Sequence, residues 1–341
     1  MRSKAFFING GAGRVIASIP ALEKYAESHD DFVIVAEGGM NFFRGHPVLH
    51  KFAYDNWHKG LFNDKLKMRD CVTPEPYRMW HYYNQKCSIA QAYDMEINGL
   101  EEPRELPVPK IKLSKTEAIN ALNTIEEVKA KSGKDKVIIV QPFGRGAMVQ
   151  GEYIIDQSSR SFHQRDIVSI INDLKKDYGV IIMSEFQFPI DKPGSKDLVP
   201  CGWPQADIRV WAGLIANSDH FLGCDSVGKH IAKSVGTTVT TVIGSTYPIN
   251  ISYPDDPNFD IIDIGESKRT FSPIRLTGED YQDMMNDECM EMTDNDIKKV
   301  ITSCRKRLGK PKKYEGQAVV NTQQSSACCD NSTNNKKGFK S

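Results

Sequence analysis

Three side chains that could do chemistry fall close together at Asp225, Ser226 and His230, within His-Phe-Leu-Gly-Cys-Asp-Ser-Val-Gly-Lys-His-Ile-Ala (220–232). Asp225 and Ser226 stand where a strand turns into a helix, at the carboxyl end of that strand. A short apolar strand at Phe221–Leu222 runs into Gly223, and Ser226 is a good N-cap for a helix with apolar residues at Val227, Ile231 and Val235. Gly236 ends that helix, and the β-branched run Thr237–Ile243 is the next strand. Open α/β sheets bind ligands at the carboxyl ends of their strands. The N–H groups and positive dipole end of the helix make a phosphate the expected guest.

A second stretch near the start has related chemistry. Ala5–Ile8 is apolar and leads into Asn9-Gly10-Gly11-Ala12-Gly13-Arg14. An amphipathic helix follows, with Val15, Ile16, Ile19, Leu22 and Tyr25 on or near one face and Pro20 inside it, which predicts a kink or a late helix start. Phe32–Ala36 is the second strand, followed by Glu37-Gly38-Gly39. Glycines let a backbone approach a ligand closely, although the spacing is not G-x-G-x-x-G.

The elements that must position these residues alternate along the chain. Between Phe42 and Leu106 the pattern is irregular, with a helix expected within Tyr77–Ile97 that carries Trp80, Tyr82, Tyr83 and Tyr93. That aromatic stripe reads as a core face or as an acceptor-binding wall. Ser114 and Glu117 form a capping-box pattern for a helix that Gly133 stops. Val137–Val140 is a buried-type strand, followed by a loop to Ser161. Helix and strand patterns then alternate through Ile243. The fold class expected is α/β, two tandem Rossmann-like, doubly wound domains with a ligand cleft between them. Residues 1–132 form the first domain and 133–292 the second. Residues 293–309 are a last helix, and 310–341, poor in apolar residues, a disordered tail.

Composition excludes several functions. Lys plus Arg and Asp plus Glu both number 44, so no global field draws nucleic acid. No apolar run is long enough for an integral membrane segment, and no secretory leader is evident. Eight scattered cysteines show neither CxxC pairs nor zinc-ligand spacing, which fits a reduced, cytoplasmic compartment and no bound metal.

Two separated stretches resemble heptosyltransferase-like glycosyltransferases. Gly13-Arg14-Val15-Ile16-Ala17-Ser18-Ile19-Pro20-Ala21-Leu22 is similar to their N-terminal loop and helix. Asp225-Ser226-Val227-Gly228-Lys229-His230-Ile231-Ala232, with Gly244-Ser245-Thr246, is similar to their donor-site motif Asp-Ser/Thr-Gly-x-x-His-x-Ala. Weaker similarity spans His46-Pro47-Val48, Arg160-Ser161-Phe162 and the segment around Cys289. The resemblance runs from about Ala5 to Leu308.

It implies a GT-B fold, a nucleotide-diphosphate sugar as donor substrate without a cofactor, and a glycan or glycolipid hydroxyl as acceptor. Metal-free, inverting transfer and a final helix that returns to the first domain are also implied. By motif match, Gly13 belongs to the donor site, Asp225 contacts the donor sugar or its neighbourhood, and Arg160 takes the place of a diphosphate-binding lysine. Backbone N–H groups of Ser226, Val227 and Gly228, together with His230, face the diphosphate. Val227 stands where the family has glycine, and Gly228 comes one place later.

The family's proposed base is an Asp directly after the glycine matching Gly13, and here that residue is Arg14. Arginine stays protonated and takes no proton. Glu37 is the first replacement base, with Asp55 and His46 behind it, and Arg14 is expected to reach a phosphate or an anionic acceptor across the cleft. Two other readings stay open. One is a nucleotide-sugar or glycan-binding protein without turnover. The other is a dinucleotide enzyme in which Glu37 binds ribose.

Overall fold

The computed structural model describes residues 2–156, 158–191, 201–251, 253, 255–270 and 288–316. It contains two parallel α/β units. The first is β1 (Lys4–Ile8), α1 (Ala12–Ala26), β2 (Phe32–Ala36), β3 (Ala53–Asp55), β4 (Asp70–Val72), α2 (Trp80–Tyr83) and α3 (Ile89–Asn98). Its sheet order is β3-β2-β1-β4. α4 (Lys115–Ser132) leads to β5 (Val137–Gln141), the hairpin β6 (Ala147–Gln150) and β7 (Tyr153–Asp156), α5 (Gln164–Leu174) and β8 (Gly179–Ile182). α6 (Ile208–Asn217), β9 (His220–Gly223), α7 (Val227–Val235), β10 (Val239–Ile243), α8 (Pro248–Ile251), β11 (Phe259–Asp263) and α9 (Asp294–Leu308) complete the second unit. Its sheet order is β11-β10-β9-β5-β8.

The central strands β2, β5, β9 and β10 are buried along their whole length, as parallel strands covered on both faces require. Helices start and stop where side chains dictate. Capping boxes at Ser88/Gln91, Ser114/Glu117 and Thr293/Asp296 open α3, α4 and α9. Gly99, Gly133 and Gly236 close α3, α4 and α7 in the left-handed conformation. The tandem, doubly wound organisation read from the sequence is the one observed.

Four local expectations differ. Pro20 lies within α1, which starts at Ala12, so the helix does not start late. Tyr77–Ile97 is not one helix: a 3-10 turn at Pro76–Arg78, α2 and α3 replace it, because the Ser88 capping box starts a new helix. The stretch before Ser161, expected as a loop, contains the β6–β7 hairpin. α9 stays on the second unit instead of returning to the first. It packs on α5, β9, β10 and β11, and Arg305 and Arg307 tie it to Asp177 and Asp260.

α4, placed with the first domain in the sequence reading, makes its contacts with α6, β5 and β8. A side chain at Gly213 would come within 3.0 Å of Ala121 Cβ, so the two helices approach closely there. Lys310–Gly316 continue beyond α9, and Tyr314 donates to Gly133 O and to a Glu126 carboxylate oxygen. Residues 317–341, the rest of the expected tail, lie outside the described residues.

Buried contacts join the two units. The apolar faces of α1, α3, α6 and α7 belong to one continuous core. Arg209, on α6, makes a bidentate pair with Glu117 and donates to Lys112 O and Asn41 O. Asn250 donates to the carbonyls of Tyr82 and Cys87. These bonds hold the carboxyl ends of both sheets towards each other.

Candidate functional site

A cavity of about 900 Å³ lies between the units. Its walls come from segments that follow strand carboxyl ends: the Asn9–Arg14 loop after β1, Glu37 after β2, Glu75 after β4, Phe143–Ala147 after β5, Asp225–Val227 after β9 and Thr246 after β10. Side chains of the first unit's Tyr77 and Tyr82 and the second unit's Arg160, Phe186 and Trp211 complete it. This is where an open α/β sheet presents a ligand site.

The second unit's wall is a buried charge network. Lys229 Nζ lies 2.7 Å from Asp225 Oδ1, one helical turn away. Thr246 Oγ1 donates to Asp225 Oδ2 at 3.0 Å, and Arg160 Nη1 lies 4.0 Å from the same oxygen. Burial raises the Asp225 carboxyl, but Lys229 and Arg160 outweigh it and hold the group below its ordinary range. Asp225 is therefore an ionised anchor. Arg160 Nε also donates to Ser158 Oγ. The loop carrying both is shaped by Asp156, which accepts from Ser158 N and Ser161 N.

Ser226 occupies the N-cap of α7, yet its hydroxyl does not cap the helix. Gln141 does so from the end of β5. Its Oε1 accepts the Gly228 N–H at 2.9 Å, while its Nε2 donates to Ser226 Oγ and Phe143 O. The Gly228 N–H is thus committed within the protein, and the Ser226 N–H donates to Cys224 O, so neither is free to face a diphosphate as the resemblance implied. Gly228 is glycine for packing: a Cβ there would come within 2.4 Å of both Gln141 Oε1 and the Phe221 ring. Val227 lines the cavity at the first turn of α7.

α1 brings a second helix start to the same place. Its N-cap is Gly11, with no side-chain cap and no acidic residue in the first turn. A Cβ on Gly13 would lie 3.3 Å from His230 Cδ2 and 3.7 Å from Val227 Cα, so the N-termini of α1 and α7 abut. Both positive dipole ends serve one cavity. His230 is nearly buried and pairs through Nδ1 with Tyr253 OH at 3.0 Å. Burial, reinforced by Lys229, lowers its pKa to about 3, so the imidazole is neutral.

The first unit's wall corrects the expectation for Arg14. Its guanidinium does not span the cleft. Nε donates to Tyr93 OH at 2.7 Å, and Nη2 lies 3.3 Å from both Pro74 O and Glu75 Oε1. It also sits over the Tyr77 ring. Burial opposes its charge, but Tyr93, Tyr77 and Glu75 more than compensate and raise its pKa.

Glu37 is exposed and lines the cavity, with Oε2 accepting the Gly10 N–H at 3.0 Å. His46 and Asp55 do not line it. His46 Nδ1 accepts from Leu49 N and Nε2 faces Glu23, while Asp55 accepts from Trp57 N. The aromatic stripe divides: Tyr82 and Tyr93 are fully buried, whereas Trp80 is exposed.

Sequence reasoning assigned no role to Gln141, Lys229, Arg145 or Glu75. The spacing of Asp225 and Lys229 was a visible signal for an ion pair. Nothing local pointed to Gln141 or Glu75. Arg145, exposed in the loop after β5, reaches across the cleft, with its side chain next to the position a Cβ on Gly11 would occupy.

Among the described residues, no group of three or more His, Cys, Asp or Glu side chains lies together to hold a metal ion. No described helix is long and apolar enough to cross a membrane. No family model matches the sequence, and no curated protein matches it.

Solved structures do match the fold. The dodecameric iron-containing heptosyltransferase TibC in complex with ADP-D-beta-D-heptose aligns with a TM-score of 0.52 at 11% identity, over 90% of this chain and 77% of that one. TibC from enterotoxigenic E. coli, in a further structure, aligns with a TM-score of 0.51 at 10% identity, over 90% and 77% of the two chains. A family 9 glycosyl transferase from Veillonella parvula aligns with a TM-score of 0.52 at 10% identity, over 90% of this chain and 97% of that one. At such identities the likeness establishes architecture: two Rossmann-like units facing a cleft, the GT-B arrangement.

Proposed function

We propose that the chain transfers a sugar from a nucleotide-diphosphate sugar to a hydroxyl acceptor by single displacement with inversion. The observation that carries this reading is the meeting of two helix N-termini in a cavity that also holds Arg145 and Arg160. In the reaction, the bond from the donor's anomeric carbon to the diphosphate oxygen breaks as the acceptor oxygen bonds that carbon. The acceptor's proton passes to a base. Negative charge grows on the leaving diphosphate, where helix dipoles and arginine cations stabilise it without a metal ion. Asp225, locked by Lys229, sets the position of Arg160 and the entry to α7. Val227 and the neutral His230 border the diphosphate. The base is a carboxylate on the first unit's wall, where Glu37 and Glu75 both line the cavity. TibC bound to ADP-heptose gives the class of donor to try first, with a glycan or glycolipid as acceptor.

A second reading, nucleotide-sugar or glycan binding without turnover, is favoured by one observation: Arg14 stands where the resemblance places the base.

The test is a thermal-shift panel of ADP, GDP, UDP, CDP and NAD on the wild-type chain and on Arg160→Ala, followed by assay of nucleoside diphosphate release. Ligand at a hundredfold excess over its Kd stabilises by about 2.7 kcal/mol, a shift of a few degrees. One nucleoside diphosphate should raise the midpoint in the wild type and much less in the variant. Binding without release from any nucleotide-sugar would support the second reading. A shift with NAD alone would overturn both.

A further inference from the structure

Five acidic side chains line the cavity, and four are committed or misplaced for taking a proton from an acceptor: Glu37, Asp207, Asp225 and Glu185. Asp225 is locked by Lys229 and Thr246. Asp207 caps α6, with Oδ1 accepting from Arg209 N and Val210 N. Glu37 is exposed and spends Oε2 on the Gly10 amide. Glu185 is exposed on the second unit's wall, the donor's side. The fifth is Glu75.

Resting on the transfer reading, we propose that Glu75 is the general base that accepts the acceptor's proton, and that Arg14 is its positioning residue. The carboxylate lies on the first unit's wall and is 28% exposed. Arg14 engages Oε1 among the described residues, which leaves Oε2 for an incoming hydroxyl. The backbone is fixed at the same point. Glu75 N donates to Glu96 Oε2 at 2.5 Å, the Pro74 carbonyl accepts from Arg14, and Pro76 starts the following turn. Prolines on both sides restrict the chain, so the carboxylate is held in place before a substrate arrives.

This arrangement explains the arginine after Gly13. The residue there is not the base. It crosses to the segment after β4 and holds a carboxylate from another element at the cavity wall. On transfer, the proton moves from the acceptor hydroxyl to Glu75 as the new carbon–oxygen bond forms, and it leaves to solvent once the product departs.

The experiment measures kcat, KM for the donor, nucleoside diphosphate affinity and the pH–rate profile for the wild type, Glu75→Gln, Glu75→Asp and Glu37→Gln. Glu75→Gln should lower kcat by about 10²–10⁴-fold, with nucleoside diphosphate affinity within about threefold of wild type and the acid limb of the pH profile gone. Glu75→Asp keeps the charge facing Arg14 and should recover part of the activity, which separates loss of the base from loss of fold. A Glu75→Gln enzyme within about fivefold of wild type, or a larger loss in Glu37→Gln, overturns the assignment and leaves the transfer reading standing. No turnover by the wild type with any nucleotide-sugar overturns both.

Discussion

The two walls of the cavity are built differently. On the second unit, Asp225 finds two of its partners within one β-α-β segment: Lys229 lies one turn on, and Thr246 follows the next strand. On the first unit, Arg14 meets Glu75 and Tyr93 across 61 and 79 residues of chain. The Asp225–Lys229 pair of the second wall is buried and fixed within its own unit. The first wall keeps its carboxylate partly exposed, as the proposed role of Glu75 requires. Both walls draw on distant elements, but the buried ion pair of the second is formed within a single β-α-β segment, whereas that of the first is not.

The sharpest way to break this comparison is at Asp225. Removing one partner of a buried pair strands the other charge, so Asp225→Ala should cost about 3–5 kcal/mol in urea unfolding, and Lys229→Met in the same chain should restore most of it. A cost below about 1 kcal/mol would mean that the second wall is not fixed by this pair. Gly228→Ala probes the same wall through packing. Its Cβ would strike Gln141 Oε1 and the Phe221 ring, and a loss of about 1–3 kcal/mol is expected, with weaker nucleotide binding as α7 shifts.

A smaller, graded effect comes from acid. Burial lowers His220 to about 3, with its ring nitrogens held by Thr238 and Thr240, and His230 is lowered to about the same value. Each folded pKa lies below the unfolded one, so the unfolded chain binds more protons between about pH 6.5 and 3. Their stabilisation is full above that window and is lost as pH falls through it. Each histidine should contribute about 1 kcal/mol of loss between pH 6.5 and 5.5. Both lie in the second unit, so hydrogen exchange at pH 5.5 should show that unit loosening before the first. Equal loosening of both would argue against the contrast.

Much of the second wall was legible. Strand, helix start and following strand are local patterns that set Asp225 and Ser226 at a strand's carboxyl end, and the family resemblance added Val227 and His230; all four line the cavity. What was not legible is what each group touches. Ser226 sits at a cap position, yet Gln141, 87 residues before Gly228, does the capping. Arg14 reads as a cation free to cross the cleft, yet it turns back into its own unit. The Tyr77–Ile97 aromatics could not be sorted, because a 3-10 turn and two helices replace the single helical face that periodicity assumes.

By itself the sequence determined the alternation of strands and helices, the tandem α/β organisation and the two glycine-flanked helix starts, because hydrophobic periodicity, caps and turn residues act over a few neighbours. Only the tertiary structure decided that those two helix starts abut at Gly13 and His230, that Asp225 is neutralised within its own unit, and that the carboxylate beside Arg14 is Glu75. Burial and ion pairing depend on which strand ends converge, and that convergence is set by the packing of whole units, beyond the reach of local sequence.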